Sequence, residues 1–162
     1  MDKVTLINKV VIESARMEEN CTYSSKSHFN SSGIWSNIHF ILGIILIIIS
    51  AIPMFYGDMK FISLTIFILA NIQTFIRPDK KACEHLKAGN DYLSLKNNIR
   101  QFSECRILNL ETDVVLSELK NFTESLNYLN QTSPLPLNCG YKSAQKGIIE
   151  GQATFSVDKE GQ

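Results

Sequence analysis

Formal charge is missing from two long stretches of this chain. No Asp, Glu, Lys or Arg occurs from Ser27 to Gly57, and none from Phe61 to Ile76. Across all 162 residues the balance is ordinary, 16 basic against 16 acidic. The charge is segregated, not scarce. A helix in a soluble core carries polar residues every three or four positions on its outer face. Two neutral runs bounded by charge do not fit that pattern. They point to lipid.

Catalytic signatures are scarce too. There is no Gly-rich phosphate loop, no GxSxG and no HExxH. The histidines, His28, His39 and His85, are far apart. Cys21, Cys83, Cys105 and Cys139 form no CxxC pair and read as free thiols in a reducing compartment. Cys83 and His85 lie two apart, but a structural zinc takes four ligands and no second pair accompanies them. The expectation is therefore no enzyme, no metal and no cofactor, and no direct binding of nucleic acid.

What is there is a pair of spans. A bilayer core of about 30 Å needs about 20 helical residues at about 1.5 Å each. The run 37–56 meets this. The run 60–76 is shorter: its neutral part reaches roughly 24 Å, and spans if flanking Lys and Arg snorkel or the bilayer thins. The first run starts too far in for a signal peptide, without an adjacent basic region. Gly57 and Asp58 favour a turn between the runs, and Pro53 is tolerated near a helix end. So short a connector makes the two helices antiparallel and puts both termini on one side. Arg16 and Lys26 before the hairpin, and Arg77, Lys80, Lys81, Lys87 and Lys96 after it, outweigh Lys60 in the connector. The positive-inside rule then makes both termini cytoplasmic and the protein multi-pass in the inner membrane. Trp35 and Tyr56 sit where interfacial aromatics belong. That topology leaves the sequons at Asn20, Asn30, Asn121 and Asn130 unused.

The rest reads as helix and loop. Residues 4–20 predict a short amphipathic helix with Ile7, Val10, Ser14 and Met17 on one face. The Ser- and Asn-rich 21–33 predicts a loop or a frayed helix. Pro78 suits the first turn of a new helix. Leu95, Ile99 and Phe102, then Val115, Leu119, Phe122, Leu126 and Leu129, follow heptad-like spacing. The phase slips between the two sets, which predicts either two helices with a break near Cys105 or one helix with a stutter. The apolar stripe has three candidate partners: the N-terminal helix, the other half of the segment, or a second copy. Residues 132–162 predict a loose tail with a short helix around 142–150. The predicted fold is an all-α membrane protein divided as 1–33, a transmembrane hairpin 34–77, a cytoplasmic helical region 78–131 and the tail.

Polar residues inside the spans are the candidate functional groups. Ser63, Ala70, Asn71 and Thr74 share one helical face. Such a face should avoid hydrocarbon. Two readings account for it. Small and polar residues could form the packing seam, with Gly43, Ser50 and Ala51 of the first span allowing close approach. Alternatively, Ser63, Asn71 and Thr74 line a water-filled path between subunits. Two spans cannot enclose a pore, so the second reading requires a homo-oligomer. Arg77, Lys80 and Lys81 form a basic cytoplasmic collar, which orientation alone also explains. His39 is either a titratable gate group or a neutral histidine at headgroup level.

The layout, together with HLKAGNDYLSLKNNIRQF at 85–102 and YKSAQKGIIEGQATF at 141–155, resembles the SLATT family of two-transmembrane effectors in bacterial conflict systems. The resemblance implies a pore-forming effector of abortive-infection type that permeabilises the inner membrane when triggered. It also implies a separate trigger, such as a nucleotide second messenger or a sensor protein. The rival expectation is a membrane-anchored scaffold whose cytoplasmic helices bind a partner while the hairpin only tethers.

Overall fold

The computed structural model describes residues 3–56 and 60–152. Its elements are α1 (Lys3–Tyr56), α2 (Lys60–Ile76), α3 (Pro78–Gln101), α4 (Thr112–Thr132) and α5 (Asn138–Ile149). A π-helical turn at Phe102–Arg106 and a 3-10 turn at Ile107–Asn109 separate α3 from α4. No strand occurs among the described residues. The fold is all-α, as predicted. The chain forms two compact units: Met1–Ser31 with His85–Gln162, and Ser32–Glu84. The predicted turn at Gly57 and Asp58, the side chains of Pro53 and Tyr56, and the tail beyond Gln152 lie outside the described residues.

The loop or frayed helix expected at 21–33 is corrected to regular helix. α1 runs unbroken for 54 residues. Hydroxyls are poor in helix interiors because they compete for backbone groups. Here they bond back within the helix instead. Thr22 Oγ1 donates to the Glu18 carbonyl at 2.8 Å, Ser25 Oγ to Thr22 at 3.1 Å, and Ser31 Oγ to Ser27 at 2.8 Å. The inward stripe also never breaks step. Val10, Ser14, Met17, Cys21, Ser25, His28 and Ser31 are all buried, at spacings of three or four.

In the first unit α3 answers with a stripe of its own: His85, Ala88, Tyr92, Leu95, Ile99 and Phe102 are buried. Met17 and Cys21 pack with Tyr92, Leu95 and Ile99, while Val10 packs with Phe102, Ile107 and Val115. Low numbers on α1 meet high numbers on α3, so these two segments are antiparallel. Leu119, Phe122, Leu126 and Leu129 of α4 close the third side. The heptad sets therefore face the N-terminal helix and each other, within one chain. Phe102 and Phe122 meet edge to face with ring centroids 5.4 Å apart. Burying a side chain such as Ile99 or Val115 contributes roughly 1.5–3 kcal/mol. Of the two alternatives, a break near Cys105 or one helix with a stutter, the structure has the break, a reversal at 102–109. It takes a wide turn, then a tight one, and Leu110 and Glu111 are extended before α4 begins.

α5 starts earlier than the predicted 142–150 and docks through small residues, with Gly140, Ala144 and Gly147 buried. Asn30 Nδ2 donates to the Gly140 carbonyl at 3.2 Å, and the Leu137 N–H donates to Ser31 Oγ at 3.0 Å. A Cβ on Gly140 would lie 2.6 Å from Ser31 Oγ and 3.1 Å from the Ser27 carbonyl oxygen. Ser31 is held by both its bonds, so it has little room to yield. Gly140→Ala is expected to destabilise the first unit by about 1–3 kcal/mol, despite the usual gain from Ala in a helix. A lowered thermal unfolding midpoint in detergent checks this. Gly33→Ala is the control, since a Cβ there meets nothing within 4 Å.

In the second unit, three residues separate Tyr56 from Lys60. Four peptide links reach at most about 14 Å. At the other end Ser32 Oγ donates to the Ala82 carbonyl at 2.8 Å. Both ends are thus tied, and α2 must run back along α1. Two helices are long and apolar enough to cross a membrane by length and composition. None of the most apolar 18-residue window of the first is buried.

Candidate functional site

Within the second unit the half-buried positions of α2 are Ile62, Ile66, Leu69, Asn71 and Gln73. On α1 they include Trp35, Ile38, Leu42, Leu46 and Ile49. Ile62, Ile66, Leu69 and Gln73 share one side of α2, so the seam there is chiefly aliphatic, and Asn71 lies nearly half a turn away. Bulky side chains fill the space between helices, whose axes are typically 8–10 Å apart. Ser63, Ala70 and Thr74 are exposed, as are Ser50 and Ala51. A Cβ on Gly43 would meet nothing within 4 Å. Gly43 is half-buried and leaves room for a methyl group. Gln73, off the candidate face, belongs to the seam.

The candidate face lies about 110° around α2 from the seam, at 100° per residue. Two of its polar groups bond back within their own helix. Asn71 Nδ2 donates to the Phe67 carbonyl at 2.7 Å and Thr74 Oγ1 to Ala70 at 2.8 Å. Back-bonding lowers the cost of a hydroxyl in hydrocarbon. Asn71 still carries an amide oxygen with no partner among the described residues. Phe67 falls on the same face, between Ser63 and Asn71, and is 66% exposed.

The basic collar is divided by the structure. Lys81 Nζ sits 4.4 Å from the centre of the Trp35 ring, a cation–π contact that ties the two ends of the unit together. Lys80 pairs with Glu84 at 3.7 Å, an exposed pair of small energetic value. Arg77 does something different. Its φ is 46°, the left-handed region, and it links α2 to α3. Its N–H closes the last turn onto the Gln73 carbonyl at 3.0 Å, and Pro78 opens the next helix. An L-residue there is strained by about 1–2 kcal/mol, whereas Gly is not. Arg77→Gly is expected to raise the unfolding midpoint in detergent by an amount equivalent to about 1 kcal/mol. Arg77→Val should lower it.

A second constellation was hidden in the sequence. His28 on α1 and His85 on α3 are both buried, and their Nδ1 atoms are 3.0 Å apart. One ring donates and the other accepts. The His28 ring also stacks on Tyr92, with centroids 5.6 Å apart and planes 16° from parallel. The Tyr92 hydroxyl donates to Asn130 Oδ1 at 2.9 Å. Desolvation, and secondarily the neighbouring His85, push the His28 pKa down from 6.5 to about 4. Burial raises that of Tyr92. The signal existed: stepping back from Leu95 by heptad intervals reaches Tyr92, Ala88 and His85. His85 thus turns toward His28, while Cys83 is exposed. No group of three or more His, Cys, Asp or Glu able to hold a metal occurs among the described residues. The four thiols are unpaired, and burial beside Glu18 pushes that of Cys21 up to about 11. His39, read as either a gate group or a neutral histidine at headgroup level, is exposed on the apolar half of α1.

No protein family, curated protein or solved structure matches the chain.

Proposed function

We propose that this chain is a two-span inner-membrane protein whose copies associate through the uncovered face of α2 and conduct ions or small solutes. The observation that carries the reading is the position of Ser63, Asn71 and Thr74. They are polar and lie in an apolar helix; within one chain Ser63 and Thr74 are exposed, Asn71 is half-buried, and none of the three is fully buried. In a bilayer such a face is driven away from lipid, toward other copies or toward water. Both termini lie in the cytoplasm, and the first unit is the part a trigger acts on. The resemblance to SLATT effectors extends the proposal to a defence role: a nucleotide messenger or sensor protein releases the pore, and infected cells lose their membrane potential. The chain itself has no catalytic role in this reading.

Reconstitution into liposomes loaded with a self-quenched dye tests it. Protein at increasing density should release dye with a concentration dependence steeper than first order. A protein that inserts, binds partners through its first unit and never leaks under any trigger is a tethered scaffold instead.

A further inference from the structure

The first unit holds a cavity of about 740 Å³ that the proposed pore does not use. Tyr23 and His28 of α1, Tyr92 of α3, Tyr141 of α5 and the prolines Pro134 and Pro136 line it. We propose that it binds an uncharged, planar heteroaromatic molecule with hydrogen-bonding groups on its edge, of the nucleoside class. The proposal does not rest on membrane conduction.

Three observations define the ligand. First, the walls are flat: aromatic and pyrrolidine rings offer faces for stacking. Second, one buried polar group there lacks a partner. Ser27 is 1% exposed, and its hydroxyl has no hydrogen bond. A buried polar group left so costs about 1–3 kcal/mol, which a ligand bond would relieve. His28 engages His85 through Nδ1, leaving Nε2 for a ligand, and burial keeps the ring neutral at pH 7. Asn130 accepts from Tyr92 through Oδ1, leaving its amide N–H groups as donors. Hydroxyl, imidazole and amide together match the mixed donors and acceptors of a heterocycle's edge. Third, the charge is balanced. Arg16 and Glu19 are the charged residues of the lining, and Arg16 is already paired with Glu13 at 3.1 Å. A polyphosphate would find one guanidinium, shared with Glu13 and opposed by Glu19, to set against several charges. Asn20, Asn130 and Gln145 add amides to the lining, so sugars are the class that the titration must separate from nucleosides.

Isothermal titration of the full-length protein in detergent decides the matter. The panel is adenosine, guanosine, cytidine and uridine, their 5′-triphosphates, and glucose with N-acetylglucosamine. At least one nucleoside should bind saturably, and its triphosphate at least about tenfold more weakly. Ser27→Ala should weaken that nucleoside by roughly 3–10-fold, and Ser27→Val, which adds bulk, by more. If the Ser27 variants fail to fold, Tyr141→Ala serves, since Tyr141 is 48% exposed and its loss spares the core. It should weaken the same nucleoside. The proposal is overturned if no nucleoside binds, if only a sugar binds, if a triphosphate binds as tightly as its nucleoside, or if these variants leave affinity unchanged.

Discussion

Asn71→Leu should abolish dye release from liposomes while leaving insertion and the unfolding midpoint of the protein nearly unchanged. The substitution keeps the size of the side chain and removes both amide groups. In lipid the leucine is at least as comfortable as the asparagine, so the hairpin still inserts. Nothing in the aliphatic seam of Ile62, Ile66 and Leu69 is altered. What disappears is the one amide oxygen on that face that its own helix leaves unsatisfied. If the face is a path for water and ions, losing that group dries it, and leakage should fall by at least about tenfold, the effect of 1.4 kcal/mol on a barrier. Thr74→Val tests the same logic more gently, because Thr74 is already bonded to Ala70. Undiminished leakage in Asn71→Leu would remove this face from the mechanism, and the scaffold reading would gain.

Acidification should destabilise the first unit, and His28 is the reason. Its folded pKa, about 4, lies below its unfolded value of 6.5. Between those values the unfolded chain binds the proton and the folded chain resists it, so stability rises with pH across the window. The contribution is fully present above about pH 6.5 and is lost as pH falls toward 4. A shift of this size corresponds to about 3 kcal/mol. The groups around His28 are His85 and Tyr92 on α3, with Arg16, Glu19, Tyr23 and Tyr141 lining the same cavity. Among them only Glu19 carries a negative charge, so a charged imidazole gains little compensation. Unfolding midpoints measured from about pH 7.5 down to about pH 4.5 should fall steeply in the native protein. In His28→Asn the dependence should flatten, at the cost of a lower midpoint at neutral pH. Equal slopes in the two proteins would mean that other groups govern acid sensitivity.

Which parts of this architecture could be read beforehand follows from what makes a pattern visible. Leu95, Ile99 and Phe102 and the set from Val115 to Leu129 were legible because large apolar side chains recur at helical intervals. The structure buries or half-buries every one of them. The two apolar runs were legible because a bilayer demands length and neutrality together. The continuity of α1 was not, because its inward stripe between Cys21 and Ser31 is made of serines and a histidine. Serine has the same composition in a loop as in a helix; only its hydrogen bonds differ. His28 and His85 lie 57 positions apart and meet only through the antiparallel packing of α1 and α3. The half-buried positions of the hairpin were not legible, because isoleucine and leucine recur on every side of both runs.

Phe67 sets how tightly such a path would close. In an assembly sharing the α2 face, one phenyl ring per copy arrives at the same depth, midway along an otherwise hydrophilic track. A collar of aryl carbon expels water from a gap still wide enough to admit it. The resting barrier would then be a film of vapour, not a plug of protein. A slight widening would flood it.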